Sequence, residues 1–144
     1  MGIYTAHQAK TNVITDDLLA LDAAASEDGK VIEFGIGGEV TTSTAGRIRL
    51  SRSSGGTVPV AADIQQRHPN SPVPLIQGVD SWTAEPSLDA GALFGTGWNL
   101  HGGVIRWLAA PGEEFEIIGA EQISLRETLA AVALSGTLIW SEFQ

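Results

Sequence analysis

The sequence predicts an all-β fold, a two-layer sandwich or jelly roll, and three observations carry that reading. Short segments alternate apolar and polar side chains with a period of two, turn-forming residues separate them, and convincing helical segments are few. The 144 residues include 17 Gly and 6 Pro, many points at which the chain must turn. The length is close to the ~150 residues typical of one domain. Hydrophobic residues at 43% against 17% charged make a composition that folds around a core.

Met1 to Thr15 are mostly small and polar without a sustained period, so residues 1–15 are expected to form an extended arm that orders only against another surface. The domain proper is then 16–144. From Lys30 to Ile36, Ile32, Phe34 and Ile36 share one parity, which fits a strand with one buried face, ended by Gly37-Gly38. Arg47 to Arg52 alternates again and Ser53-Ser54-Gly55-Gly56 follows as a turn. Between Thr57 and Pro86 five prolines each remove a backbone donor, so loops around short strands are expected, with one edge strand over Val73 to Val79. The glycines from Gly91 to Gly103 punctuate a loop-rich stretch in which Phe94 and Trp98 act as plugs. Val104 to Leu108 and Glu114 to Ile118 read as strands joined across Pro111-Gly112, with Gly112 at positive φ. Ala131 to Glu142 is the last strand, and its interior Gly136 is compatible with a bulge. Thr15 to Ala25 and Gln122 to Leu134 suit a helix as well as a strand.

Charge and residue type exclude several chemistries. The formal charge of −9 repels a phosphate backbone, so direct nucleic-acid binding is not expected. With no cysteine, disulfides, thiol nucleophiles and Cys-ligated metals drop out. No targeting segment is visible at the start, and the apolar runs are far shorter than the ~20 residues that cross a bilayer, so no membrane partner is expected. His7, His68 and His101 lack the close spacing of common metal sites, which leaves only a distant convergence of His68 and His101 for a jelly-roll metalloenzyme. Glu113, Glu114 and Glu116 sit together on one hairpin instead of facing each other across a cleft, and a solvated face explains them. Neither a dinucleotide fingerprint nor a phosphate loop nor a nucleophile elbow is present. The expectation is therefore no catalytic residue, no cofactor and no metal.

What remains is contact chemistry. Arg47, Arg49, Arg52 and Arg67 face only Asp63 within their stretch, whereas six glutamates after position 107 face only Arg126. Such asymmetry can orient contacts between subunits. Trp107 and Trp140 lie in strand patterns and are expected in the core. Trp82 and Trp98 lie in loop-like stretches and are candidate contact residues, or a stacking platform for a carbohydrate. The candidate interface set is Tyr4, His7, Arg47, Arg49, Arg52, Trp82 and Trp98.

Val104-Ile105-Arg106-Trp107, then Ala110-Pro111-Gly112-Glu113 before a strand, and the closing Gly136-Thr137-Leu138-Ile139-Trp140-Ser141-Glu142 resemble the small jelly-roll cement or decoration proteins of tailed bacteriophages. Lys30 to Ile36 and Gly46 to Leu50 look like the early strands of that family. The resemblance runs from about Asp17 to Phe143, turns both ambiguous segments toward strand, and maps no family binding residue onto the arm. It implies a jelly-roll virion protein on the outer capsid surface, a homotrimer that covers joints between major capsid protein subunits and stabilises the shell. Its partners would be the major capsid protein, its own copies and neighbouring cement proteins, gripped by the arm and exposed loops. The alternative is a carbohydrate-binding jelly-roll module of a virion or host-recognition protein.

Overall fold

A computed structural model describes residues 1–143. Within them every regular element is a strand: β1 (Gly2–Thr11), β2 (Leu19–Asp22), β3 (Gly29–Gly38), β4 (Ala45–Ser54), β5 (Thr57–Ala61), β6 (Ile64–Gln66), β7 (Gln77–Ala84), β8 (Ser87–Leu88), β9 (Phe94–Asn99), β10 (Val104–Leu108), β11 (Phe115–Ile117), β12 (Gln122–Glu127) and β13 (Ala133–Glu142). Two antiparallel sheets pack face to face as a β-sandwich. The first runs β10-β3-β13-β1-β6 with β11 also on β3, and the second runs β5-β7-β2-β12-β4-β8 with β9 also on β4.

Both sheets interleave the two ends of the chain. β13 lies between β1 and β3 in the first sheet, and β12 lies between β2 and β4 in the second. The chain changes sheet at each of its first three connections and again before each of its last two long strands, so neither layer can form without the other. β10 and β11 occupy successive lengths of β3, making one edge strand interrupted by the 109–114 turn. β9 and β8 divide the far edge of β4 in the same way.

The alternation read in β3, β4 and β10 builds the core. Phe34, Ile36, Ile48, Leu50, Ile123, Leu125, Leu138 and Trp140 are buried between the layers. Along the β9–β10 side an aromatic file closes the sandwich: Phe94 meets Phe34 edge-on at 5.2 Å, Phe34 stacks on Trp107 at 5.5 Å, and Trp107 stacks on Phe115 at 4.5 Å. Such pairs add about 0.5–1.5 kcal/mol each beyond the area they bury. Gly112 adopts φ +88°, as the Pro-Gly turn requires.

Four expectations need correction. Residues 2–11 are no loose arm: β1 pairs with β13 along its whole length from Gly2↔Glu142 to Thr11↔Ala133, and with β6 on its other side. Its weak sequence signal conceals one core-facing row, Gly2, Tyr4 and Ala6, all buried. The edge strand expected over Val73 to Val79 is instead β7, which starts at Gln77 and lies inside the second sheet between β5 and β2. The two segments that suited helix and strand alike contain β2 and β12, the state toward which the resemblance turned them, because pairing on two sides fixes their backbone. The Gly91–Gly103 stretch contains β9, whose outward glycines hid the alternation of its inward Phe94, Thr96 and Trp98. The register between β13 and β3 shifts at Ile139/Trp140, where Ile32 of β3 is the extra residue, so Val31 instead of Ile32 joins Phe34 and Ile36 in the core, and Gly136 remains regularly paired.

Candidate functional site

The interface candidates divide into those the fold consumes and those it leaves open. Tyr4 is fully buried, 5.7 Å from Trp140, and its hydroxyl donates to Pro72 O at 2.8 Å. Trp82 lies on β7 and is 8% exposed, so it offers no stacking face. Its indole N–H donates to Asp17 Oδ2 at 3.0 Å. Half-buried Trp98 packs against the core, and its N–H donates to Glu127 Oε2 at 2.9 Å. Trp140 repeats the arrangement with Glu142 at 3.0 Å. Three of the 4 tryptophans thus serve buried carboxylates, and burial withdraws Trp82 as a sugar platform.

The acids involved fasten loops. Asp17 also accepts from Ser124 Oγ at 2.6 Å and Arg126 Nε at 2.9 Å. Arg126 in turn donates to Pro86 O at 2.9 Å, and Glu85 accepts the Asp17 backbone N–H at 2.9 Å. Burial pushes the Asp17 carboxyl above its ordinary range, outweighing the pull of Arg126 and its hydrogen-bond donors. Glu85 is raised too, again by burial first. Glu127 receives the backbone N–H groups of Arg47, Leu129 and Ala130 at 2.8, 2.8 and 3.2 Å, closing the turn after β12. Glu142 receives those of Leu75 and Ile76 at 2.8 and 3.0 Å. Asp17, Glu127 and Glu142 are thus structural clasps, with both oxygens of each engaged by the protein itself.

Among the described residues an open depression lies on the outer face of each sheet. On the first sheet a trough of about 390 Å³ lies over Gly35 and Gly37, with hydroxyls from Thr5, Ser135 and Thr137 along it. Arg106 closes one side by donating to Glu33 at 2.5 Å, and this hydrogen bond holds the Glu33 carboxyl below its ordinary range. His7 is exposed on the same sheet and pairs with Thr137 Oγ1 at 3.0 Å. The second depression, about 270 Å³, is lined by Arg47, Arg49, Ala92, Gly95, Thr96 and Gly97. The register sets Arg47 opposite Gly97 and Arg49 opposite Gly95, so no side chain from β9 covers either guanidinium.

Arg52 lies apart from that pair. It is bound to Glu121 and donates to Glu116 O at 2.9 Å. The basic group from the sequence therefore separates into two open arginines, Arg47 and Arg49, and one internal ion pair. Among the described residues no three His, Asp or Glu side chains gather in an arrangement that could hold a metal ion. The glycine-floored depressions were invisible to sequence reasoning, since only the cross-strand register sets a glycine against each arginine. Compared with family models, curated proteins and solved structures, the chain matches none.

Proposed function

We propose that this chain is a capsid cement protein, a jelly-roll domain that binds as a homotrimer to the outer surface of a shell of major capsid protein and stabilises it. The single observation that carries the reading is the open edge of the first sheet. There Val104, Leu108 and Ile118 are 76%, 58% and 53% exposed along β10 and just past β11, beside backbone groups with no strand on that side among the described residues. Apolar side chains on an unpaired edge favour adhesion to another protein.

The jelly-roll part rests on strand order. β1-β13-β3-β10 in one layer and β2-β12-β4 with β8 and β9 in the other is the interleaving that two nested Greek keys produce, with β5, β6 and β7 as an insertion that widens both sheets. The negative charge suits the outside of a shell better than its DNA-facing interior. Three weak patches joined in one trimer reach effective concentrations of about millimolar and gain ~10²- to 10⁴-fold in avidity, so no deep pocket is needed.

Co-sedimentation of the purified protein with capsids of its own virus, followed by cryo-electron microscopy, tests the proposal. Saturable binding with density on the outer surface at symmetry axes is expected. A protein that stays in the supernatant at every concentration while the shells pellet is not a cement protein.

A further inference from the structure

The clearest unassigned feature is the pair of arginines on the outer face of the second sheet. Lys10, Lys30, Arg52, Arg106 and Arg126 each meet a carboxylate. Arg67 acts on Glu33 across the first-sheet trough, whereas Arg47 and Arg49 make no ion pair among the described residues, in a chain of net charge −9. Arg47 and Arg49 stand two residues apart on one face of β4, so their Cα atoms are about 6–7 Å apart. Arg49 is already oriented, because it donates to Asp89 O at 3.0 Å. Gly95 and Gly97 open the floor: a Cβ at Gly97 would meet only Gly46 O, at 3.7 Å.

The complementary group is on the same chain. The 109–114 turn has a fixed shape, with the Glu113 N–H on Ala110 O at 2.9 Å and Gly112 at φ +88°. Lys30 lies 4.0 Å from Glu114 and 3.5 Å from Glu116, and Glu114 also accepts the Gly112 N–H at 2.9 Å. Glu113, exposed at the tip, has no cation beside it among the described residues. We infer that the Arg47–Arg49 depression is a self-assembly site that receives the Glu113 turn of a second copy of this chain.

A turn held in shape before contact loses little conformational entropy on docking. A depression of about 270 Å³ lies just below the ~300–1,000 Å³ of ordinary small-molecule pockets. The overall negative charge repels a nucleic-acid polyanion while a single carboxylate between two guanidinium groups is favoured. The inference rests on the self-association in the proposed function and names the surfaces that make it.

Sedimentation equilibrium of the whole chain tests it with four proteins: wild type, Arg47→Glu/Arg49→Glu, Glu113→Lys, and the three changes together. Wild type should associate, about tenfold more weakly at ~500 mM than at ~50 mM salt. Either reversal should weaken association about tenfold or more, and the combination should restore it to within about threefold. Glu113→Lys alters only an exposed turn tip, so its loss of association cannot be ascribed to misfolding. Association that ignores all the reversals overturns the inference and leaves the trimer standing. A chain monomeric at millimolar concentration overturns both, while shell binding is read separately by co-sedimentation. Reversals that abolish shell binding yet spare self-association also overturn it, giving the depression to the shell.

Discussion

Asp17 shows how a single buried charge organises its surroundings. Its side chain is sealed under β7 and the following loop, with Arg126, Ser124 and Trp82 all donating to it. Asp17→Asn leaves the buried Arg126 charge with only Glu85, 3.9 Å away, as a counter-ion. A loss of about 3 kcal/mol is expected in a urea titration followed by tryptophan fluorescence. The sign of the pH effect follows from the raised carboxyl. The folded chain keeps the Asp17 proton at a pH where the unfolded chain, near the ordinary value of 3.8, has already released it. This contribution to stability therefore declines as pH rises from that value to the raised one, and is level above it. Glu85 acts in the same direction from its ordinary value of 4.5. Urea midpoints measured across this range should fall with pH in wild type and fall less in Asp17→Asn. Nothing in the sequence announced this cluster: Asp17 is 65 residues or more from Trp82, Ser124 and Arg126, and only strand pairing brings them together.

Strand β4 and its neighbours show how local space decides the effect of one methyl group. A Cβ on Gly46 would lie 2.6 Å from Trp98 Nε1 and 2.9 Å from Glu127 Oε2, inside the hydrogen bond that fastens β9. Gly46→Ala should cost about 2–4 kcal/mol. On β3, a Cβ at Gly35 would meet only Ile105 O at 3.7 Å, so Gly35→Ala should stay within about 1 kcal/mol of wild type, both read from thermal midpoints. β1 supplies the sharper contrast with the sequence. Tyr4→Ala should cost about 3–5 kcal/mol, and removing residues 1–11 should abolish the cooperative transition, since two strands lose a partner. β3, β4, β10 and the Pro-Gly turn were legible because each carries its own alternation or turn chemistry. β1 and β9 were not, because alanine, glycine and threonine become core-facing or sheet-forming only through what they pair with. Arg47 and Arg49 were recognisable as basic residues, whereas their lack of acid partners depends on β9 lying alongside.

For the molecule as a whole, the pairing of β1 with β13 and of β2 with β12 requires distant parts of the chain to meet before either sheet is complete. The entropy of closing such loops precedes the reward from burial. Stopped-flow refolding monitored by tryptophan emission should therefore show a main phase between about milliseconds and seconds. A microsecond phase carrying the full amplitude would mean that the layers form locally. The three indole–carboxylate couples lie at separate stations, one under the loop after β7, one at the β9 edge and one beside residues 75–76. Leaving a single indole at a time, with phenylalanine in place of the others, would turn each station into its own lamp. Its colour would report whether that corner loosens when the protein adheres to a neighbour.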